Sequence, residues 1–356
     1  MKGLIALLLF ILLAMLSWGV YGPVLSIGKE DMHGSALRPF ICVGLAYFLI
    51  AVMTPGILLR MSGESGHWSS SGIFWSLAAG AAGAVGALGI ILAFAFHGSP
   101  VYVMPLVFGL APVVNTFLTM YWGKLYKQVS PIFIAGLILV VVGAVTVLAF
   151  RPAHHAPVAK AAVTENAAAS SDSEAKTVAK PAHPEVNWLM VILFTAMTAL
   201  AWGVYGPVLH RGQMAMGGSR LRPLICVGLA YFLIAVIVPS LLLTQWNEPG
   251  EFTFSGTLWS LAGGAAGALG ALGIIMAFNF GGKPIFVMPL VFGGAPVINT
   301  FVSLIQTGNF ELHPFFYAGL IVVAAGAVTV LIFAPKSAPH AAPPADAKPA
   351  HEPAPA

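Results

Sequence analysis

Asn115 and Asn299 are the most polar side chains deep inside any apolar run of this 356-residue chain, and each follows a proline by three residues. Helical spacing places Met104, Phe108, Pro112, Asn115 and Thr119 on one stripe, and Met288, Phe292, Pro296, Asn299 and Ser303 on another. A proline inside a helix removes one backbone hydrogen bond and pushes away the carbonyl four residues earlier, here on Phe108 and Phe292. At membrane depth such a carbonyl survives only against protein or a water-filled cavity. These groups can hydrogen-bond a polar solute reversibly; they do not break bonds. The competing reading makes each Asn interhelical glue, a common use of polar side chains in membrane bundles. The shared face of Pro, Asn and hydroxyl favours the cavity.

Trp18 and Tyr21, and likewise Trp202 and Tyr205, lie three residues apart on one helix face, followed by Gly22-Pro23 and Gly206-Pro207. An aromatic pair beside a kink can stack on a sugar, a base or another ring. Both pairs also lie toward span ends, where an interfacial aromatic belt is the alternative. Pro23, Pro112, Pro207 and Pro296 are the expected kink and gating positions. Tyr47 and Tyr231 are secondary candidates, because a buried hydroxyl needs a partner.

What is missing narrows the chemistry. All twelve acidic residues fall in expected loops, linker or tail. Proton relays in membranes usually use an intramembrane carboxylate, so proton-coupled antiport and cationic substrates are disfavoured. An intramembrane hydrolase would need a nucleophile with a base or a carboxylate pair; the chain is expected not to be an enzyme. Cys42 and Cys226 read as small packing residues, with no metal site, disulfide or cofactor implied. No basic patch interleaves with aromatics, so nucleic acid is not an expected partner. Arg38-Pro39 and Arg222-Pro223 each open a span, where an arginine ordinarily snorkels to lipid headgroups.

The elements that position these groups are written twice. Trp18 through Leu25 returns unchanged as Trp202 through Leu209, and Arg38 through Val52 returns as Arg222 through Val236 with only Phe40 changed, to Leu224. Charged residues are 8% of the chain, hydrophobic ones 58%, and mean hydropathy is +0.90. A soluble domain carries about 25% charge, so most of this chain faces no water. Five apolar runs near the length a bilayer requires occur in each copy. They are expected at Leu4–Leu25, Pro39–Leu59, Gly72–Phe96, Val101–Trp122 and Pro131–Phe150. The second set is expected at Trp188–Leu209, Pro223–Leu243, Gly256–Phe280, Ile285–Gln306 and Pro314–Phe333. The first run resembles a signal peptide, but its mid-chain mate identifies it as a retained helix.

An odd number of spans per copy makes the two copies cross the bilayer in opposite directions. The expected fold is therefore an all-α integral membrane protein, ten transmembrane helices as two inverted five-helix repeats. Residues 1–150 form the first repeat and 187–335 the second. Between them, 151–186 has almost no large apolar side chains and reads as a flexible extracytoplasmic linker. Residues 336–356 read as a disordered cytoplasmic tail. Lys2, Arg60, Lys124, Lys127, Arg211, Arg220, Arg222, Lys283 and Lys336 fall on one side, against Lys29, Arg38 and Arg151 near spans on the other. That bias places both termini in the cytoplasm of an inner membrane. Glycines every third residue in the third and eighth spans read as close helix packing.

With these residues in order, the chain resembles the drug/metabolite transporter superfamily, and most closely its EamA-like members. The resemblance rests on Trp-Gly in the first span, Arg heading the second, a small-residue third and a proline within the fourth, in both copies. It covers about 300 residues and excludes linker and tail. It implies ten helices, cytoplasmic termini and a central cavity with Trp18, Asn115, Trp202 and Asn299 at or near it. The long linker and the Gly123-Lys124 after the fourth span depart from the family pattern. The expected function is alternating-access transport of a small polar, largely uncharged metabolite such as an amino acid, sugar or nucleoside. Substrate and bilayer are then its partners. A non-transporting scaffold that recruits proteins through linker and tail is the alternative.

Overall fold

The computed structural model describes residues 2–150 and 186–335, except 63, 246, 309 and 334. The expected linker, apart from Val186, and the expected tail lie outside the described residues. Every regular element among them is helical. The helices are α1 (Lys2–Asp31), α2 (Leu37–Tyr47), α3 (Thr54–Ser62), α4 (Ser70–Ala95), α5 (Pro100–Gly123) and α6 (Pro131–Ala149). They continue as α7 (Trp188–Ala215), α8 (Leu221–Phe232), α9 (Val238–Gln245), α10 (Phe254–Asn279), α11 (Pro284–Thr307) and α12 (Pro314–Phe333). A π turn, Phe48–Met53, joins α2 to α3, and another, Leu233–Ile237, joins α8 to α9.

Counting each π-joined pair as one, eight helices among the described residues are long and apolar enough to cross a membrane, which marks a multi-pass membrane protein. α6 and α12 hold shorter apolar stretches, Pro131–Val147 and Pro314–Val330. Local chemistry sets the ends. Ser69, Ser130 and Thr253 accept hydrogen bonds from the first-turn N–H groups of α4, α6 and α10. Lys124 (φ 52°) and Gly308 (φ 64°) take the left-handed conformation that ends α5 and α11. α1 runs one and a half turns past its expected end at Leu25, so Lys29, Glu30 and Asp31 are helical. Pro23 lies inside that helix and does not stop it.

Lipid offers no hydrophobic drive between helices, so association depends on close packing. α10 lies along α1, its small residues under the larger ones: Gly256 beneath Met32, Gly263 beneath Leu25 and Gly270 beneath Trp18. α4 lies along α7 in the same way, with Gly72 beneath Met216 and Gly86 beneath Trp202. A methyl at Gly86 or Gly270 would collide with the indole above it. α2 joins the α1–α10 pair, and α8 joins the α4–α7 pair. Each of these two groups therefore mixes helices from both sequence copies. Beyond the π turns the chain changes sides: α3 packs on α8, and α9 packs on α2.

The helices expected to be interrupted are α5 and α11, yet both run unbroken through Pro112 and Pro296. The interruptions lie instead at the two π turns, immediately after Tyr47 and immediately after Phe232. A π turn adds one residue to a helical turn, and such bulges often mark functional positions.

Candidate functional site

Where the two helix groups meet, they enclose a cavity of about 20 Å³ lined by Trp18, Tyr21, Tyr47, Gly83, Trp202, Tyr205, Tyr231 and Gly267. Four of these residues belong to each group, and each is the sequence mate of one across the cavity. The volume admits one water-sized molecule, far short of the ~300 Å³ or more of an occupied small-molecule site. A solute therefore enters only if the groups separate.

The rings form facing pairs, one member from each group. Trp18 and Trp202 lie 6.0 Å apart at 21°, and Tyr47 and Tyr231 stack at 3.6 Å and 3°. Tyr21 meets Trp202 edge-on at 66°, and Tyr205 meets Trp18 at 63°. Each indole is fixed by its own N–H: Trp18 donates to Gly267 O at 3.2 Å and Trp202 to Gly83 O at 3.1 Å. The glycines thus serve the indoles twice, as acceptors and as space. The Tyr21 and Tyr205 hydroxyls are buried with no hydrogen-bond partner among the described residues. No charged side chain lines the cavity.

Of the sequence candidates, Trp18, Tyr21, Trp202 and Tyr205 line this cavity. Phe292 and Phe108 stand behind its indoles, Phe292 stacked on Trp18 at 5.6 Å and Phe108 on Trp202 at 5.9 Å. Asn115 and Asn299 are placed elsewhere. Asn115 Nδ2 donates to Pro284 O at 3.1 Å, at the head of α11, and Asn299 Nδ2 to Pro100 O at 3.0 Å, at the head of α5. These bonds join α5 and α11 reciprocally, the glue geometry rather than the cavity one. Ser303 is buried and Thr119 half-buried, one turn further along the same helices and outside the cavity lining. Pro23, Pro112, Pro207 and Pro296 are buried within continuous helices. Tyr47 and Tyr231 turn out to be central, and Gly83 and Gly267 were legible only as packing.

Two further clusters, at opposite ends of the helical bundle, were missed. The Glu64 side chain, 3% exposed, accepts from Ser219 Oγ and Arg220 N at 2.7 Å each. Leu221 N (3.3 Å), Arg220 Nε (3.3 Å) and Arg222 Nη1 (3.4 Å) also donate to it. α8 has no side-chain cap of its own; Glu64 supplies it from the loop after α3. Burial pushes the Glu64 carboxyl up, but the Ser219, Arg220 and Leu221 hydrogen bonds outweigh it and hold it below its ordinary 4.5. Glu248, its sequence mate, repeats the arrangement at the head of α2. It accepts from Ser35 Oγ at 2.6 Å, Ala36 N at 2.8 Å, Leu37 N at 3.0 Å and Arg38 Nη1 at 3.3 Å. The expectation that Arg38 and Arg222 reach for headgroups is corrected here. Each folds onto a carboxylate and a loop carbonyl, and each lies near an aromatic ring, Phe252 or Trp68.

No family model matches the chain, and no curated protein is similar to it in sequence. Solved structures do share its fold. One, described only as "Crystal structure of protein", gives a TM-score of 0.54 at 17% identity over 92% of this chain and 96% of that one. At that identity the likeness concerns the fold alone.

Proposed function

We propose that the chain is an alternating-access transporter for a small polar, largely uncharged metabolite. In this reading it has ten membrane helices as two inverted five-helix repeats, residues 1–150 and 187–335. It sits in an inner membrane with both termini cytoplasmic and belongs with the EamA-like drug/metabolite transporters. The observation that carries it is the aromatic cavity on the seam between two helix groups, walled by four residues from each. A site on such a seam faces one side or the other as the groups rock, which is the arrangement inverted-repeat transporters use. α1 against α10 and α4 against α7 are packed too closely to slide apart, so each group moves as a unit. The uncharged lining suits a neutral solute, since a buried ion needs a paired partner. Chemistry on the solute is not part of the proposal. Uptake of radiolabelled amino acids, sugars and nucleosides into proteoliposomes tests it. Saturable flux of a neutral solute, lost in Trp202→Ala, supports the reading; leakage equal to empty vesicles for every pool refutes it.

A further inference from the structure

The rings around the seam cavity differ from a general aromatic lining in one respect: the facing pairs are nearly parallel, and each pair spans the seam. Two stacked rings sit about 3.5 Å apart at van der Waals contact, so a flat ring held between two others needs a gap of about 7 Å. Tyr47 and Tyr231 are at the closed limit, 3.6 Å at 3°, and Trp18 and Trp202 are part-way, 6.0 Å at 21°. Separating the two helix groups by roughly 3 Å, one ring thickness, opens the Tyr47–Tyr231 stack into a slot for one ring, with the indoles standing wider beside it. The Tyr pair ends at the π turn that follows Tyr47 and just before the one after Phe232, the places where the spans change sides. Tyr21 and Tyr205, edge-on to the indoles, close the sides of the slot and bring the two unpartnered buried hydroxyls to its rim.

We infer that this slot takes an uncharged planar aromatic or heteroaromatic ring with polar atoms on its edge, sandwiched between the facing rings of the two groups. The Tyr47–Tyr231 stack holds the ligand's place when the site is empty. A saturated sugar is disfavoured because it offers no pair of flat faces to fill a gap between parallel rings. Anions find no cation on the wall, and both indole N–H groups are already bonded to Gly267 and Gly83. A quaternary ammonium ion is attracted to ring faces. Parallel pairs closing to 3.6 Å, however, make a slit rather than a box.

This inference rests on the seam cavity being the transport site, so the test measures binding without flux. The full chain in nanodiscs is titrated calorimetrically with adenine, indole and nicotinamide, and in parallel with glucose and tetramethylammonium. At least one planar probe is expected to bind saturably and the two non-planar ones not at all. Removing one stacking face in Tyr47→Leu is expected to weaken that binding about ten-fold or more, while Tyr47→Phe, which keeps the ring, stays within about three-fold. Binding of glucose or tetramethylammonium with no binding of any planar probe overturns the inference, as does Tyr47→Leu binding like the parent chain. Flux of a non-planar solute without planar binding would sink this inference and leave the transport reading standing. Planar binding with no flux of the bound probe would do the reverse.

Discussion

Glu64→Ala is the substitution whose cost can be worked most fully from the structure. The carboxylate is 3% exposed and Arg222 is 12% exposed, so solvent screens their ion pair little. Its loss leaves Arg220 N and Leu221 N at the head of α8 without an acceptor, along with the Ser219 hydroxyl. Losing a helix cap costs about 1 kcal/mol, and stranding the cation of a buried pair costs about 3–5 kcal/mol. Because Arg222 keeps Ser65 O at 3.2 Å, the lower part of that range applies. The expected destabilisation is about 3–4 kcal/mol for Glu64→Ala, and roughly half for Glu64→Gln, whose amide oxygen still accepts. Denaturant unfolding of the protein in detergent, followed by circular dichroism, measures it. The pH dependence follows from the direction of the shift. A folded value below the ordinary 4.5 means the contribution is complete above pH 4.5 and fades as pH falls through the depressed value. The parent chain should therefore lose stability below pH 4.5 and Glu64→Gln should lose less. Glu64→Ala unfolding within about 1 kcal/mol of the parent, or an unchanged acid limb in Glu64→Gln, refutes the capping argument.

Other substitutions probe the packing and the linker. Gly86→Ala drives a methyl into the Trp202 ring, which can yield only by leaving Gly83 O. Overpacking of about 1–3 kcal/mol or more is expected, with a shift in tryptophan emission. Gly56→Ala, in α3 with open space around it, should be neutral or stabilising by up to about 1 kcal/mol; equal effects at both glycines would contradict the packing account. Asn115→Ala removes its bond to Pro284 O, and interhelical hydrogen bonds in membranes average about 0.6 kcal/mol. A modest fall in thermal stability with unchanged KM is expected, whereas a large KM change at full stability would return Asn115 to the binding site. Deleting residues 156–184 should preserve flux in proteoliposomes; loss of flux in a folded deletion variant would mean the segment does more than connect.

The helices were readable because each is an apolar run bounded by charges, prolines and capping hydroxyls. Most of their starts and stops are set by local chemistry; the heads of α2 and α8, capped by Glu248 and Glu64, are the exceptions. The clear extensions are the matching ones, α1 past Leu25 to Asp31 and α7 past Leu209 to Ala215, where Pro23 and Pro207 lie inside continuous helices. The π turns were not readable from their own residues: Phe48–Met53 contains no glycine or proline, and the turn packs against α8. Prolines drew attention to α5 and α11 instead, where the helix continues. The asparagines were ambiguous because a stripe records which residues share a face and not what that face meets. Trp18 and Trp202 were legible as aromatics, but their orientation comes from glycine carbonyls 249 and 119 residues away. The Glu64 and Glu248 caps act across similar distances. Their signal was present all the same, since Ser, Arg and Glu recur together in both copies.

Solute flux across a bilayer decides the central claim. Purified protein in proteoliposomes, preloaded with unlabelled neutral solute and presented with labelled solute outside, should show saturable counterflow. Trp202→Phe, which keeps a ring but drops the hydrogen bond to Gly83, should slow that counterflow, and Trp202→Ala should abolish it while the protein remains folded. Counterflow unchanged in folded Trp202→Ala would contradict a transport site on the seam.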